Sequence, residues 1–372
     1  MGYNILGINT SHHGSVCLLK GGEIELYIEE ERLSLKKYDR IPLKSLIYIL
    51  NNYSINEVAI GSLEDQFNSN HKVYVDLIKK YNPKAKFSFL GNHHHLVHAI
   101  HAFSNSGFTN AISLVIDGLG GIKNFPKISP ESSYTETESI FECNLSSNFN
   151  KIFGMYTAHQ PSPSKITDEI DLGYSSNLTL SYQAITNFLG FKNLEAGKTM
   201  GLSSYGKYDL NIPKLFLNNR GDKNLFEGYP YFNFNPHPKL FKYFSNNKEW
   251  HYNSLKIKDS EKNLAYHIQV ETQEIVCNYI KKIIKKTQTN NIVCSGGYFL
   301  NCVANYYLKK QFPKINFYFE PLSHDGGTAI GAAQLLWYQR TQDKTIRPQK
   351  TIYYGPKYSK EDLLNGIQKY LD

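Results

Sequence analysis

The sequence predicts an α/β fold with mixed sheets and a central cleft, on three observations. Strand-like apolar runs recur along the chain, several of them stop at polar glycine-rich loops, and helical segments follow those loops. Asn4 to Ile8, Val16 to Lys20 and Ile24 to Ile28 read as a meander, with Gly21-Gly22 as its hairpin signal. Ala111 to Ile116 is a buried strand that stops at Asp117-Gly118-Leu119-Gly120-Gly121. Asn291 to Cys294 stops at Ser295-Gly296-Gly297, with a helix expected from about Tyr298. Asp325-Gly326-Gly327 opens a small-residue helix through Ala329, Gly331, Ala332 and Ala333. In α/β sheets, loops at strand carboxyl ends meet over one crevice, where free amides and helix N-termini favour anions. A phosphate-bearing ligand is the natural occupant.

Composition narrows the class. At 372 residues the chain can bury a large core, and 41% hydrophobic with 20% charged residues describes a globular protein. The net charge of +8 is scattered, with lysine pairs as its densest clusters, so an anionic ligand is permitted and nucleic acid is not demanded. Five cysteines without a C-x-x-C pair argue against a disulfide framework or a Cys-based zinc site and suggest a reducing, cytoplasmic setting. No apolar run approaches the ~18–20 residues of a membrane helix, so no membrane partner is expected. No G-x-G-x-x-G follows the first strand and no P-loop motif occurs, which disfavours a dinucleotide fold or a P-loop NTPase. Lys123 to Tyr174 and Lys207 to Asn253, rich in polar, Pro and Asn residues, read as inserts.

The strongest chemical signal is Asn92-His93-His94-His95-Leu96-Val97-His98-Ala99-Ile100-His101. Five of the 13 histidines fall in nine residues, where composition alone predicts about 0.3. On a helix, His94 and His98 share a face, as two imidazoles must to bind one ion, whereas His95 and His101 point elsewhere. Oxygen ligands are expected from strand-end Asp117 and Asp325. Two His with two carboxylates suits Fe(II), Mn or Zn better than Mg. His12, in the first inter-strand loop, is a candidate proton acceptor, and Glu29-Glu30-Glu31-Arg32 reads as a solvated turn. Lys198, set among Gly197, Gly201 and Gly206, suits an anionic ligand.

Taken together, these segments resemble the nodulation and antibiotic-type O-carbamoyltransferases. The resemblance is carried by Ile5-Leu6-Gly7-Ile8-Asn9 with His12 and Ser15, Glu30-Glu31-Arg32 with Lys36-Lys37, and His94-His95-Leu96-Val97-His98-Ala99. It continues through Val115-Ile116-Asp117-Gly118-Leu119-Gly120, Gly197-Lys198-Thr199-Met200-Gly201-Leu202, Gly296-Gly297-Tyr298-Phe299-Leu300-Asn301-Cys302 with Asn305, and Asp325-Gly326-Gly327-Thr328-Ala329-Ile330-Gly331. It implies the two-lobed fold of actin, sugar kinases and heat-shock ATPases. The first lobe would span 1–110, completed by the helix after 326, and the second 111–345 with inserts at 123–174 and 207–253. A tail at 346–372 would begin a YrdC-like domain.

The resemblance further implies a divalent transition metal, Fe(II) first, on His94, His98, Asp117 and Asp325. Gly296, Gly297, Asn301 and the Gly197-Lys198-Gly201 segment would hold carbamoyl adenylate or its product AMP. His12 and Lys198 would be catalytic. The acceptor would be a hydroxyl of a sugar or natural product, with a YrdC-like domain or protein in trans making the donor and a second copy of the chain as a candidate partner. Two alternatives stand beside it: a threonylcarbamoyl transferase-like subunit acting on tRNA, and a non-catalytic nucleotide-binding subunit of a split enzyme. The chain departs from the family at Gly121, where an acid is frequent, and at His13-Gly14, where Asp-Ala is usual.

Overall fold

A computed structural model describes residues 3–61, 69–127, 129–145, 149–158, 165–166, 169–173, 178–217, 224–225 and 257–371. The first sheet is built from β1 (Asn4–Asn9), β2 (Ser15–Lys20), β3 (Glu23–Glu29), β4 (Glu57–Gly61) and β5 (Lys86–Phe89), in the order β3-β2-β1-β4-β5. β1 runs antiparallel to β2 and parallel to β4, and all six of its residues are buried. A strand covered on both faces needs side chains apolar on both, which Ile5, Leu6 and Ile8 supply.

Two short helices, α1 (Glu31–Ser34) and α2 (Leu43–Asn52), precede α3 (Ser69–Tyr81). Leu46, Ile49 and Leu50 of α2 and Tyr74 and Ile78 of α3 pack on Leu6, Ile8, Val58 and Ile60, which covers the outer face. Glu30, read as part of a solvated turn, is instead 2% exposed. Its carboxylate accepts hydrogen bonds from the Lys44 and Ser45 amides and the Ser45 hydroxyl, satisfying donors at the start of α2.

The second sheet contains β6 (Asn110–Ile116), β7 (Ile122–Phe125), β8 (Ser129–Asn144), β9 (Asn150–Ala158), β10 (Lys165–Ile166) and β11 (Ile170–Gly173). A two-residue ribbon, β12 (Phe216–Leu217) with β13 (Asn224–Leu225), stands apart, and β14 (Asn291–Ser295) and β15 (Asn316–Phe319) complete the sheet. Its order is β10-β11-β9-β8-β6-β14-β15, with β7 paired to β8. Much of the stretch 123–174, expected as an insert, is therefore strand, with β8 pairing both β6 and β9. Its Ser and Thr content hides the pattern because strand propensity is decided largely by the neighbours a side chain meets. The other expected insert, 207–253, lies mostly outside the described residues.

Four helices lie on the outer side of this sheet: α5 (Leu178–Phe188), α6 (Ala196–Ser203), α7 (Asp259–Thr287) and α8 (Cys302–Gln311). Ile112, Leu114 and Ile116 face Leu178, Leu264, Ile268 and Ile280, while Ala111 and Val115 on the opposite face meet Phe103. α8 begins later than the expected position near Tyr298: Gly297–Leu300 is a 3-10 turn, and the Asn301 side chain caps the helix by accepting from the Ala304 amide at 3.0 Å.

Between the two sheets run α4 (His94–Ser106) and α9 (Thr328–Thr341). Ile5 and Ala59 of the first sheet share one core with Val97 and Ile100 of α4 and Ala332, Ala333 and Leu336 of α9. Close approach depends on small residues, since a Cβ at Gly7 would overlap the Ala329 carbonyl and one at Gly331 the Val97 carbonyl. A last helix, α10 (Lys360–Gln368), buries none of its residues. Among the described residues no helix is long and apolar enough to cross a membrane.

Candidate metal centre and adjoining pocket

The layering brings five chain segments to one point. β1 leads into Ser11-His12, β6 into Asp117, β14 into Ser295-Gly296-Gly297 and β15 towards Asp325, while α4 begins at His94. His94, His98, Asp117 and Asp325 are all buried, and one ligand-type atom from each lies within 4.8 Å of all the others. His94 Nε2 stands 3.5 Å from Asp117 Oδ2 and 3.6 Å from Asp325 Oδ1, and His98 Nε2 is 3.7 Å from the same Asp325 oxygen. Two ligands on a tetrahedral ion with bonds of ~2.1 Å would be ~3.4 Å apart, close to these spacings.

A second polar atom on each of His98, Asp117 and Asp325 is already occupied, which aims the open ones inward. His98 Nδ1 is 3.1 Å from Ser295 Oγ. The Gly297 amide donates to Asp117 Oδ1 at 2.8 Å, and the Ser11 hydroxyl to Asp325 Oδ2 at 2.6 Å. What is left without a hydrogen-bond partner is His94 Nε2, His98 Nε2 and Asp325 Oδ1, three buried ligand atoms turned to one another. Orphaned polar atoms are expensive in a protein interior, and such an arrangement of nitrogen and oxygen donors suits a bound cation.

Electrostatics describe the same cluster. Burial works against protonation of His94, yet the carboxylates of Asp325 and Asp117 hold its pKa up at about 10. Burial and the charge of Asp325 push Asp117 upwards, and His94 and His98 outweigh them to leave it at about 2. Asp325 is likewise opposed by burial but held well below the ordinary carboxylate range, chiefly by His12 and His94. A cation replacing the His94 proton would meet two ionised carboxylates.

The other histidines of the cluster point elsewhere. His95 Nδ1 lies 3.0 Å from Ser139 Oγ, and His101 Nε2 3.6 Å from Glu320 Oε1. His12 stands at the rim with 31% of its side chain exposed, its Nε2 3.4 Å from Asp325 Oδ2 and its Nδ1 2.8 Å from His13 Nδ1.

A pocket adjoins the centre through Gly297, whose amide holds Asp117. Gly197, Gly297 and Asn301 line it, joined by Thr179, Tyr182, Gln183, Leu194, Met200 and Tyr298. Gly296 bends the chain here at φ +97°, and a Cβ on it would overlap the Ile116 backbone. Asn301 is held by Gln269, to which it donates at 2.8 Å. Lys198 is directed differently: its Nζ pairs with Glu195 Oε1 at 2.8 Å on the same turn of α6, and neither it nor Gly201 is among the lining residues. The structure thus brings together the four expected ligands, His12 and the Gly296 to Asn301 turn, and leaves Lys198 on its own helix. Sequence reasoning missed Ser11 and Ser295 as holders of the Asp325 and His98 side chains, although both stand in the loops it singled out. Tyr182 and Gln183 carried no signal, being ordinary residues of an amphipathic helix.

Known proteins align along the same frame. An uncharacterised protein of Synechocystis sp. is 26% identical over 97% of this chain and 62% of its own length. Nodulation protein NolNO of Sinorhizobium fredii is 22% identical over 93% of this chain and 49% of its own. The chain therefore spans about half to three-fifths of these relatives. Among solved structures, full-length HypF in its phosphate- and nucleotide-bound form matches with a TM-score of 0.55, 14% identity, and coverage of 90% of this chain and 55% of that one. HypF of T. kodakarensis matches with a TM-score of 0.54 and 11% identity, covering 93% of this chain and 49% of that one. At these identities the likeness concerns the fold, which is the two-lobed actin-like one. The family model for the carbamoyltransferase N-terminus matches residues 62–334, a span that includes His94, His98, Asp117 and Asp325, and the chain belongs to that family.

Proposed function

We propose that this chain carries the transfer step of an O-carbamoyltransferase, moving a carbamoyl group from carbamoyl adenylate to a hydroxyl of a sugar or natural product. The observation that carries the reading is the set of three orphaned ligand atoms beside Asp117, joined through the Gly297 amide to the pocket lined by Gly197, Gly297 and Asn301. His94, His98, Asp117 and Asp325 would hold one divalent transition metal, with Fe(II) favoured and Mn or Zn suited to the same donors. Bound there, the metal would supply Lewis-acid stabilisation of the charge that develops on the donor phosphate.

The protein's own groups would do the rest. The turn from Gly296 to Asn301 and the wall at Gly197 would seat the AMP portion, and Lys198, next to Gly197 in the chain, would leave Glu195 to pair with the phosphate. His12 would accept the proton of the attacking hydroxyl as its oxygen bonds to the carbamoyl carbon. The bond from that carbon to the phosphate oxygen breaks, and AMP departs with its electron pair. A YrdC-like partner domain is assigned the making of the donor, in keeping with relatives longer than the stretch matched here.

Calorimetric titration with AMP, alongside elemental analysis of protein purified without added metal, tests this reading. About one transition-metal ion per chain and saturable AMP binding are expected. Neither ion nor AMP on the wild-type chain would overturn it.

A further inference from the structure

Six residues other than glycine adopt left-handed backbone among the described residues: His13, Leu35, Tyr38, Leu194, Gln288 and Gln342. Leu35, Gln288 and Gln342 are helix C-caps, where this conformation is ordinary. The other three, His13, Tyr38 and Leu194, cap no helix, and they touch one another in sequence-distant succession. The Tyr38 hydroxyl donates to the Leu194 carbonyl at 3.2 Å, and the His13 ring meets the Tyr38 ring edge-on at 4.8 Å. From His13 the contacts run on to His12 at 2.8 Å and from there to Asp325 at 3.4 Å.

Each strained backbone is pinned by a side chain from elsewhere. Asn9 Nδ2 donates to the His13 carbonyl at 3.0 Å, the Tyr38 amide donates to Glu31 at 3.0 Å, and the Leu194 amide donates to Gln183 at 3.1 Å. Strained conformations persist only where the surroundings over-determine them, and they gather at clamps and switches. Here they form a continuous chain of contacts. One end, Leu194 with Gln183, is wall of the nucleotide pocket, and the other is the His12–Asp325 contact.

We infer that Tyr38 is a positioning residue whose hydroxyl ties the pocket wall at Leu194 to the His13–His12 pair beside the metal centre, so that occupancy of pocket and centre are coupled. The inference rests on the reading of pocket and centre proposed above. A ligand that seats Leu194 favours this set of contacts, and by reciprocity a cation on Asp325 favours the same set. The link is one hydrogen bond with a ring contact, so the coupling should be about three- to tenfold.

The test is a linkage measurement on the 372-residue chain with AMP and Mn²⁺ as probes, titrating each with and without the other. In the wild type, saturating AMP should tighten Mn²⁺ by about three- to tenfold, and Mn²⁺ should tighten AMP equally. Tyr38→Phe keeps the ring on His13 and loses only the hydroxyl. It should bring the factor to near one while each ligand alone binds within about twofold of wild type. Coupling that survives in Tyr38→Phe, or its absence from a wild type that binds both probes, would overturn this inference alone. A wild type that binds no AMP would overturn the functional reading and this inference with it.

Discussion

Two regions along the single helix α4 use histidine in opposite ways. At its first turns His94 and His98 face Asp117 and Asp325, and three ligand atoms there lack a hydrogen-bond partner. Further along, His101 faces Glu320, but that carboxylate is already occupied. It accepts from the Leu322 amide at 3.0 Å, the Asn105 side chain at 3.1 Å and the Tyr318 hydroxyl at 3.2 Å. Both regions are buried and both pair imidazole with carboxylate. What separates them is where the carboxylate's lone pairs go: inward to an open point, or outward to protein donors. Both ring nitrogens of His101 also lack a hydrogen-bond partner, so neither a His–carboxylate contact nor an orphaned imidazole by itself says much about metal binding, and an unspent carboxylate oxygen facing the imidazoles says more.

The largest effect should come from emptying the first region. His94→Ala combined with His98→Ala should lower metal content from about one ion per chain to under about a tenth, read by elemental analysis, whereas His101→Ala should change it less than about twofold. If His101→Ala also stripped the metal, the distinction between the two regions would collapse.

His12 sharpens the comparison from the rim. On the proposed function, His12→Ala should reduce carbamoyl transfer by ~10²–10⁴ with AMP affinity nearly unchanged, as for a general base that acts mainly in the transition state. Loss of AMP binding in that variant would make it a contact for the nucleotide instead.

Ser295→Ala removes the group that engages His98 Nδ1 and should weaken metal affinity ~10-fold, by analogy with other outer-shell partners of metal-bound histidine. Competition with a chelator would measure it, and an unchanged affinity would show that packing alone orients the ring.

The last effect belongs to the second region and concerns pH. Burial, opposed by the Leu322 amide and the Asn105 and Tyr318 side chains, raises the Glu320 pKa from 4.5 to about 7. Between those values the folded state holds a proton the unfolded state has released, so this group makes stability fall as pH rises from about 4.5 through 7 and adds no further slope above. The contribution is on the order of 1–3 kcal/mol by the shift involved. His101, kept neutral by burial well below its usual pKa, acts the other way: its share of stability is lost as pH falls below about 6.5. Glu320→Gln should remove the carboxyl slope from denaturant unfolding measured across pH 5 to 8, and a wild-type-like slope in that variant would place its origin elsewhere.

Much of this protein could be read along the chain. The meander at residues 4–29, the strand ends at Asp117 and Ser295, the small-residue helix after Asp325 and the shared face of His94 and His98 all rest on patterns a few residues long, where backbone geometry alone fixes what faces what. Tertiary structure decided the partners. Ser11 reaches Asp325 across 314 residues, Glu30 turns inward to satisfy the amides of α2, and the Ser- and Thr-rich stretch after residue 129 becomes strand because β6 and β9 lie on either side of it. Lys198 stands among glycines in the sequence, yet in the fold Glu195 one helical turn away holds its charge. Local periodicity specifies which face a side chain occupies, but the group it meets there is set by which distant segment packs against that face.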